Sequence, residues 1–307
     1  MGFASLNRMF GKGECMNVRT KDEIIRIILL SAASVSILIV ILIFIFLGKE
    51  GVPFFYQRSL ADLFGLDWNP AVLDGQTPSF GIIQLLTGSL VVTFVAALFS
   101  VPIGITASVY ISEVAHKIER EILKPLIEIL ATIPSVVFGF FALVVLSPII
   151  RSVFHLSTGM TAFTGSIILT LMALPTIISI SEDAIRSVPQ SYRQASLALG
   201  ATELQTTWKV VVPSAMSGIV AAVTLGIGRV IGETMAVLMV TGNSTITTIN
   251  PFDSVRTMTA TVAAEMGEVA YGDIHYNALF VVGIVLLLFT FGLNLIAQRF
   301  LRLKERA

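Results

Sequence analysis

From Ile27 to Leu47 the chain carries no charged residue; Ile, Leu, Val and Phe dominate, with only the small residues of Ser31–Ser36 among them. A helix of about 20 such residues crosses the hydrocarbon core of a bilayer, because it pairs every backbone N–H and C=O internally where no water can reach. The polar, positive segment Met1–Arg26 precedes this run, and Leu47, Gly48 and Lys49 offer no small-residue cleavage site, so the run is expected to stay attached. Further apolar runs follow at Ile82–Ile111, Leu126–Ile150, Ala162–Ile180, Ser214–Val240 and Ala278–Ile296. With 55% hydrophobic and 13% charged residues and a mean hydropathy of +0.87, a soluble globular fold is excluded. The expected fold is all-α, a polytopic membrane protein of six transmembrane helices. Pro102, Pro134, Pro148 and Pro175 predict kinks or breaks within them.

The formal net charge is zero, but the charges are unevenly placed. With the N-terminus inside, fifteen of the 20 Lys and Arg residues fall on inner segments; Lys49, Arg58, Arg151 and Arg256 fall outside, and Arg229 lies within the fifth span. Cytoplasmic segments keep such an excess, so both termini are expected to be cytoplasmic. The resulting organisation is a cytoplasmic tail (1–26), a first transmembrane helix (27–47), an extracytoplasmic loop (48–81), a core of five transmembrane helices (82–300) and a cytoplasmic tail (301–307). The longest outer segment, Thr241–Tyr276, contains RTMTATVAAE, which predicts a short outer helix serving as a lid or partner contact; a solvated loop without a role fits it equally.

The inner segment 187–213 is polar yet patterned. Ser187 with Gln190, and Thr202 with Gln205, have capping-box spacing and predict two short helices. Gly200 lies between them, where a left-handed residue must end the first, while Pro189 suits a first turn and Pro213 opposes continuation. Tyr192, Ala195 and Leu199 form an apolar ridge suited to docking, although an ordinary cytoplasmic helical hairpin has the same ingredients. Gln194, Ala195, Ser196, Gly200, Val210, Val212 and Pro213 resemble the EAA loop of ATP-binding-cassette importer permeases. That family usually carries Glu-Ala-Ala, then Gly, then Ile, Leu and Pro, so Gln194, Ser196, Val210 and Val212 depart from it. Gln194 keeps hydrogen bonding and loses the charge.

In the fifth span, GIGRVIGETMAV places Arg229 and Glu233 four residues apart, on one face of a continuous helix and within pairing reach. A charge at bilayer depth costs about 2.5–3.5 kcal/mol, so such residues usually face a polar interior and mark a pathway. Arg suits a tetrahedral oxyanion, because its fork donates two parallel bonds and keeps its proton. Glu233 would keep the net binding weak enough for release. The competing reading is an ion pair that only locks helices together. Gly228 and Gly232 have the small-xxx-small spacing that lets another helix approach. Thr132, Ser135 and Thr234 are hydroxyl candidates, though such groups more often bond their own helix backbone.

GRVIGETMAV, LKPLIEILATIPSVVFGF and TGNSTITTIN together resemble the phosphate-specific transport permeases, the PstC group in particular; the sister PstA group has Ala-Pro where this chain has Met235-Ala236. The likeness covers Pro78 to Arg299. It implies the type I ABC importer (MetI-like) architecture and roles for Arg229 and Glu233 in transport. It also implies three partners: a PstA-like second permease, a PstB-like cytoplasmic ATP-binding dimer and a PstS-like extracytoplasmic phosphate-binding protein.

No G-x-x-x-x-G-K-[ST], H-E-x-x-H or paired CxxC occurs, so ATP hydrolysis would fall to a partner, and no cofactor, metal or nucleic acid is expected. His116, His155 and His275 fall in connecting segments, and Cys15, in the N-terminal tail, reads as a free thiol. The expected activity is phosphate import by alternating access across the cell membrane. An importer of sulfate, molybdate or phosphonate keeps the same architecture. An ion-coupled carrier or channel would leave a docking loop without purpose.

Overall fold

The computed structural model describes residues 7–70 and 77–304, with side chains from Asp22 onward apart from 71–76, 297, 298 and 300–307. Cys15 and the 301–307 tail fall outside the described side chains. The chain forms two compact units, Met1–Glu50 and Gly51–Ala307. In the first, helix α1 (Asn7–Gly51) makes the anticipated polar tail and first span continuous. Its apolar side chains, from Ile24 to Phe46, are exposed on every face, as a helix bathed in lipid requires.

The second unit opens with two short helices, α2 (Phe54–Gln57) and α3 (Leu60–Leu63), the latter closed by a capping box between Ser59 and Asp62. Strand β1 (Trp68–Asn69) pairs antiparallel with β2 (Ser79–Phe80), Trp68 opposite Phe80. Helix α4 (Ile83–Val109) is the second span and ends in a π-helical turn, Tyr110–Val114.

The apolar run anticipated as a span from Leu126 to Ile150 is divided. Helix α5 (Lys117–Thr132) is amphipathic and has no buried residue, and Ile118, Ile122, Leu126 and Ile129 stand exposed along one side. Ile133 and Pro134 then take extended backbone, with ψ of 126° and 140°. Steric conflict with the proline ring drives the preceding residue out of the helical region, so the third span starts only at Ser135. It comprises α6 (Ser135–Phe141), a π turn (Ala142–Leu146) and α7 (Ser147–Val153).

Helix α8 (Ala162–Arg186) is the fourth span and the most buried. Ser166 and Thr170 on α8 bond their own helix and reach the carbonyl oxygens of Val92 and Ala96 on α4 at 3.1 and 3.2 Å. Where lipid supplies no hydrophobic drive, such bonds and close packing hold helices together.

The inner loop folds as α9 (Gln190–Ala198), α10 (Glu203–Thr206), a π turn (Thr207–Val211) and α11 (Val212–Ser214). The fifth span is α12 (Met216–Gly232) followed by α13 (Met235–Val240), so the expected unbroken helix from Ser214 to Val240 is interrupted at Glu233–Thr234. Ile177, fully buried, fills the notch left by Gly104 on α4 and Gly226 on α12; a Cβ at either would come within 2.6 and 2.5 Å of it. Helices α14 (Met258–Glu265) and α15 (Ile274–Lys304) complete the chain. Among the described residues five helices alone are long and apolar enough to cross a membrane. The count reaches six when the segments Glu203–Ser214 and Met216–Gly232, bent by 69° to one another, are taken as one broken span, the fifth in chain order.

Candidate translocation and docking sites

The break in the fifth span positions its two charges. Helix α12 stops at Gly232, and Glu233 takes extended backbone, with φ −71° and ψ 132°. Arg229 and Glu233 therefore do not share one face of a continuous helix, and among the described ion pairs none joins them. Glu233 turns forward instead: from its place just ahead of α13 its Oε1 accepts the backbone N–H of Ala236 at 3.2 Å, which sets a carboxylate at the N-terminus of that helix. Arg229 sits in the last turn of α12. Each charge thus lies at the helix end whose dipole favours it, an acid at an N-terminus and a cation at a C-terminus. This explains why the two need not pair.

Glu233 is half-buried in a narrow cavity with Ser89 and Thr93 of α4 and with Thr257 and Thr259 from the outer segment. Its own carbonyl oxygen accepts the hydroxyl of Thr259 at 2.8 Å, and the hydroxyl of Thr234 reaches the carbonyl of Gly232 at 3.3 Å. Nearby hydroxyls thus occupy backbone groups freed by the break, which is how interrupted helices are tolerated at membrane depth. Arg229 is exposed, and among the described residues no hydrogen bond or ion pair holds its guanidinium.

Gly228 and Gly232 lie beside it on the open side of α12, where an added Cβ would meet nothing within 4 Å. On α12 the glycines that pack closely within this chain are Gly218 and Gly226, whose missing Cβ atoms admit Ala184 and Ile177. The Gly228–Gly232 edge has no neighbour in this chain and is left open to another one. Of the hydroxyl candidates, Thr132 bonds the carbonyl of Ile129 within its own helix, and Ser135 begins α6.

The predicted short outer helix forms as α14, and it is packed rather than solvated: Met258, Ala260 and Thr261 are fully buried. Gly88 on α4 admits the carbonyl of Arg256 so closely that a Cβ there would overlap it. Glu265 gathers Arg256 (Nη1 to Oε1, 2.8 Å), the indole N–H of Trp68 (2.9 Å) and Nε2 of His275 (2.9 Å). Burial pushes its carboxyl up, but the bonds from His275 and Trp68 and the field of Arg256 outweigh burial and hold it below the usual carboxylate range.

In the cytoplasmic loop, Gly200 has φ +85° and ends α9 as expected, and Thr202 and Gln205 form their reciprocal cap. The Ser187 cap does not form. Ser187 closes α8 instead, donating to the carbonyl of Ala184, and Pro189 precedes α9. Pro213 lies in the first turn of α11, ahead of the 69° bend. Gln194 and Ala195 are exposed, as are Tyr192 and Leu199, the latter at 90%; Ser196 turns inward to the hydroxyl of Thr206 at 2.9 Å. Glu182, 1% exposed, draws Arg120, Lys124 and Arg186 around the cytoplasmic end of α8, a cluster that spacing alone had not suggested because α5 supplies two of its members.

Several helices long and apolar enough to span, with one span interrupted and charge-bearing, make the chain a multi-pass membrane protein. Residues 100–306 match the binding-protein-dependent transport system inner membrane components, and the chain belongs to that family: it is a permease of an ABC importer and resides in the cell membrane. It is 40% identical to the probable ABC transporter permease YqgH of Bacillus subtilis, over 87% of this chain and 86% of that protein. It is 32% identical to the phosphate transport permease PstC of Mesorhizobium japonicum, over 75% of each. Its fold is shared with the inward-facing MetNI methionine ABC transporter, at TM-score 0.57 and 20% identity over 73% of this chain and 95% of that one. A bacterial ABC transporter importing alginate superposes at TM-score 0.60 and 16% identity, covering 92% and 99%.

Proposed function

We propose that the chain is the PstC-type permease of an ATP-driven inorganic phosphate importer. The single observation that carries the cargo is Arg229: an unpaired guanidinium on the open side of a broken span, in a chain 32% identical to a phosphate transport permease. A fork of fixed charge suits phosphate, and Glu233, held at α13, repels the anion onward so that binding stays reversible. Gly228 and Gly232 leave the same face open for a PstA-like second permease, so that the path runs between the two subunits. Gln194, Ala195, Ser196, Gly200 and Pro213 shape the loop that docks a PstB-like ATPase dimer, which supplies the hydrolysis, and a PstS-like binding protein delivers phosphate outside. ATP binding closes the ATPases, the loop transmits the motion, and the spans alternate their access.

The test is uptake of labelled phosphate into phosphate-starved cells whose high-affinity system contains this subunit, comparing the native chain with Arg229→Gln at matched membrane abundance. Uptake lost in the variant while the ATPase still co-purifies supports the anion path. Normal uptake by the variant reduces Arg229 to scaffolding. If the native chain moves sulfate or molybdate and no phosphate, the importer stands and the cargo is another oxyanion.

A further inference from the structure

We infer that the ion pair between Glu113 and Arg193 is the strut through which the cytoplasmic loop drives the second and fourth spans. The inference rests on the docking role proposed above for residues 187–213. On α9, Tyr192, Gln194 and Ala195 stand out into solvent, and Arg193 turns the other way, with 14% of its side chain exposed. Its Nη2 lies 2.7 Å from Oε1 of Glu113 and its Nε 3.3 Å from Oε2, a two-pronged grip on one carboxylate. The same guanidinium donates to the carbonyl oxygens of Val188 and Ile185, at 2.5 and 3.1 Å.

Those four contacts reach two different spans. Glu113 belongs to the π turn Tyr110–Val114 that ends the second span, and Ile185 belongs to the last turn of α8. The other side-chain bond from α9, Ser196 to Thr206, stays inside the loop. Among the described side-chain hydrogen bonds, Arg193 is therefore what ties α9 to the second span. The chemistry suits force transmission: a planar fork fixes direction as well as distance, which a single ammonium on a flexible stem does not. The site of attachment suits it too, since π turns relax the regular helical register and recur where function needs adjustable geometry. Arg193 and Glu113 are positioning residues, acting on the cargo only through the spans they hold.

The experiment uses the whole importer, with both permeases, ATPase and binding protein, in proteoliposomes with labelled inorganic phosphate. Glu113→Gln keeps the shape and leaves the backbone bonds of Arg193 in place. The ATPase is expected to stay bound and to hydrolyse ATP, while phosphate moved per ATP falls by about fivefold or more, the scale of an allosteric coupling. Glu113→Asp, which keeps the charge, should recover part of the loss. An unchanged ratio of transport to hydrolysis in Glu113→Gln overturns the proposal, as does a proportional fall in both.

A second readout does not depend on the cargo. In a Cys15→Ser background, spin labels replace Ser191 on α9 and Val114 at the end of the second span, both exposed. In the native protein their separation should stay narrow with and without ATP, and it should broaden in Glu113→Gln. Equal widths overturn the strut. Failure of the docking reading shows elsewhere, as a Gln194→Cys loop that forms no cross-link to the ATPase.

Discussion

The indole N–H of Trp68 donates to Oε2 of Glu265 across 2.9 Å, joining the first outer loop to the last turn of α14. Nε2 of His275, at the start of α15, lies 2.9 Å from the same oxygen, and Arg256 takes the other. One carboxylate thus fastens three separate stretches of the outer face.

The fastening is expected to weaken in acid. The carboxyl of Glu265 is held below its ordinary value in the folded chain, because the bonds from His275 and Trp68 and the field of Arg256 outweigh the upward push of burial. A depressed carboxylate contributes stability that is present above the unfolded value, about 4.3, and is lost as pH falls through the folded one. Glu265→Gln should lower stability by about 2 kcal/mol near neutrality. Thermal unfolding in detergent from pH 6 to pH 3 should show the gap between native and variant closing as pH falls.

Glu182 poses the same problem at the other end. Its side chain is 2% exposed, and Arg120, Lys124 and Arg186 converge on it, Lys124 at 2.7 Å. The bond to Glu182 raises the ammonium of Lys124 above its ordinary value, against the smaller opposing effect of burial. Glu182→Ala strands Arg120 and leaves Lys124 only Asp183, at 3.2 Å, and since each cation retains some solvent the expected cost is about 3 kcal/mol. Hydrogen exchange should then quicken along α5, because its ties to α8 are reduced, while the outer half of the bundle keeps its protection.

Two glycine substitutions should behave oppositely. Gly88→Ala drives a methyl group into the carbonyl of Arg256, a backbone atom that cannot step aside, and should destabilise the isolated subunit by about 1–3 kcal/mol. Gly228→Ala meets nothing within this chain, so the melting temperature of the subunit should hold or rise slightly. Loss of the second permease on co-purification, with the subunit itself intact, would mark Gly228 as an intersubunit contact.

Gly200 has open space around it, so its substitution isolates backbone strain from packing. At φ +85°, Gly200→Ala should cost about 1 kcal/mol and misdirect α9 against α10, lowering ATPase retention with the spans unaffected. Asn enters the left-handed region more readily, so Gly200→Asn should retain more ATPase than the alanine variant.

The six spans were legible because a membrane helix must be apolar along its whole length, and little else in a sequence looks like that. The Gly200 stop and the Thr202–Gln205 cap were legible because their chemistry is local. The third span was misplaced because Leu126, Ile129 and Leu130 are as apolar as lipid-facing residues, and the break after Ile133 depends on one proline. The fifth was misread differently. Gly232 can be a packing surface or a helix stop, and spacing from Arg229 to Glu233 implies a shared face only if the helix runs through. The burial of α14 left no periodic signal, since its partners lie far away in sequence.

The hydroxyl of Thr259 holds the carbonyl of Glu233, so the interruption in the fifth span is fastened to a helix that Glu265 in turn anchors to the outer face. The inner end of the same span continues into the loop helices. The outer face is thus joined to the interruption by a short chain of contacts that bypasses the length of every span.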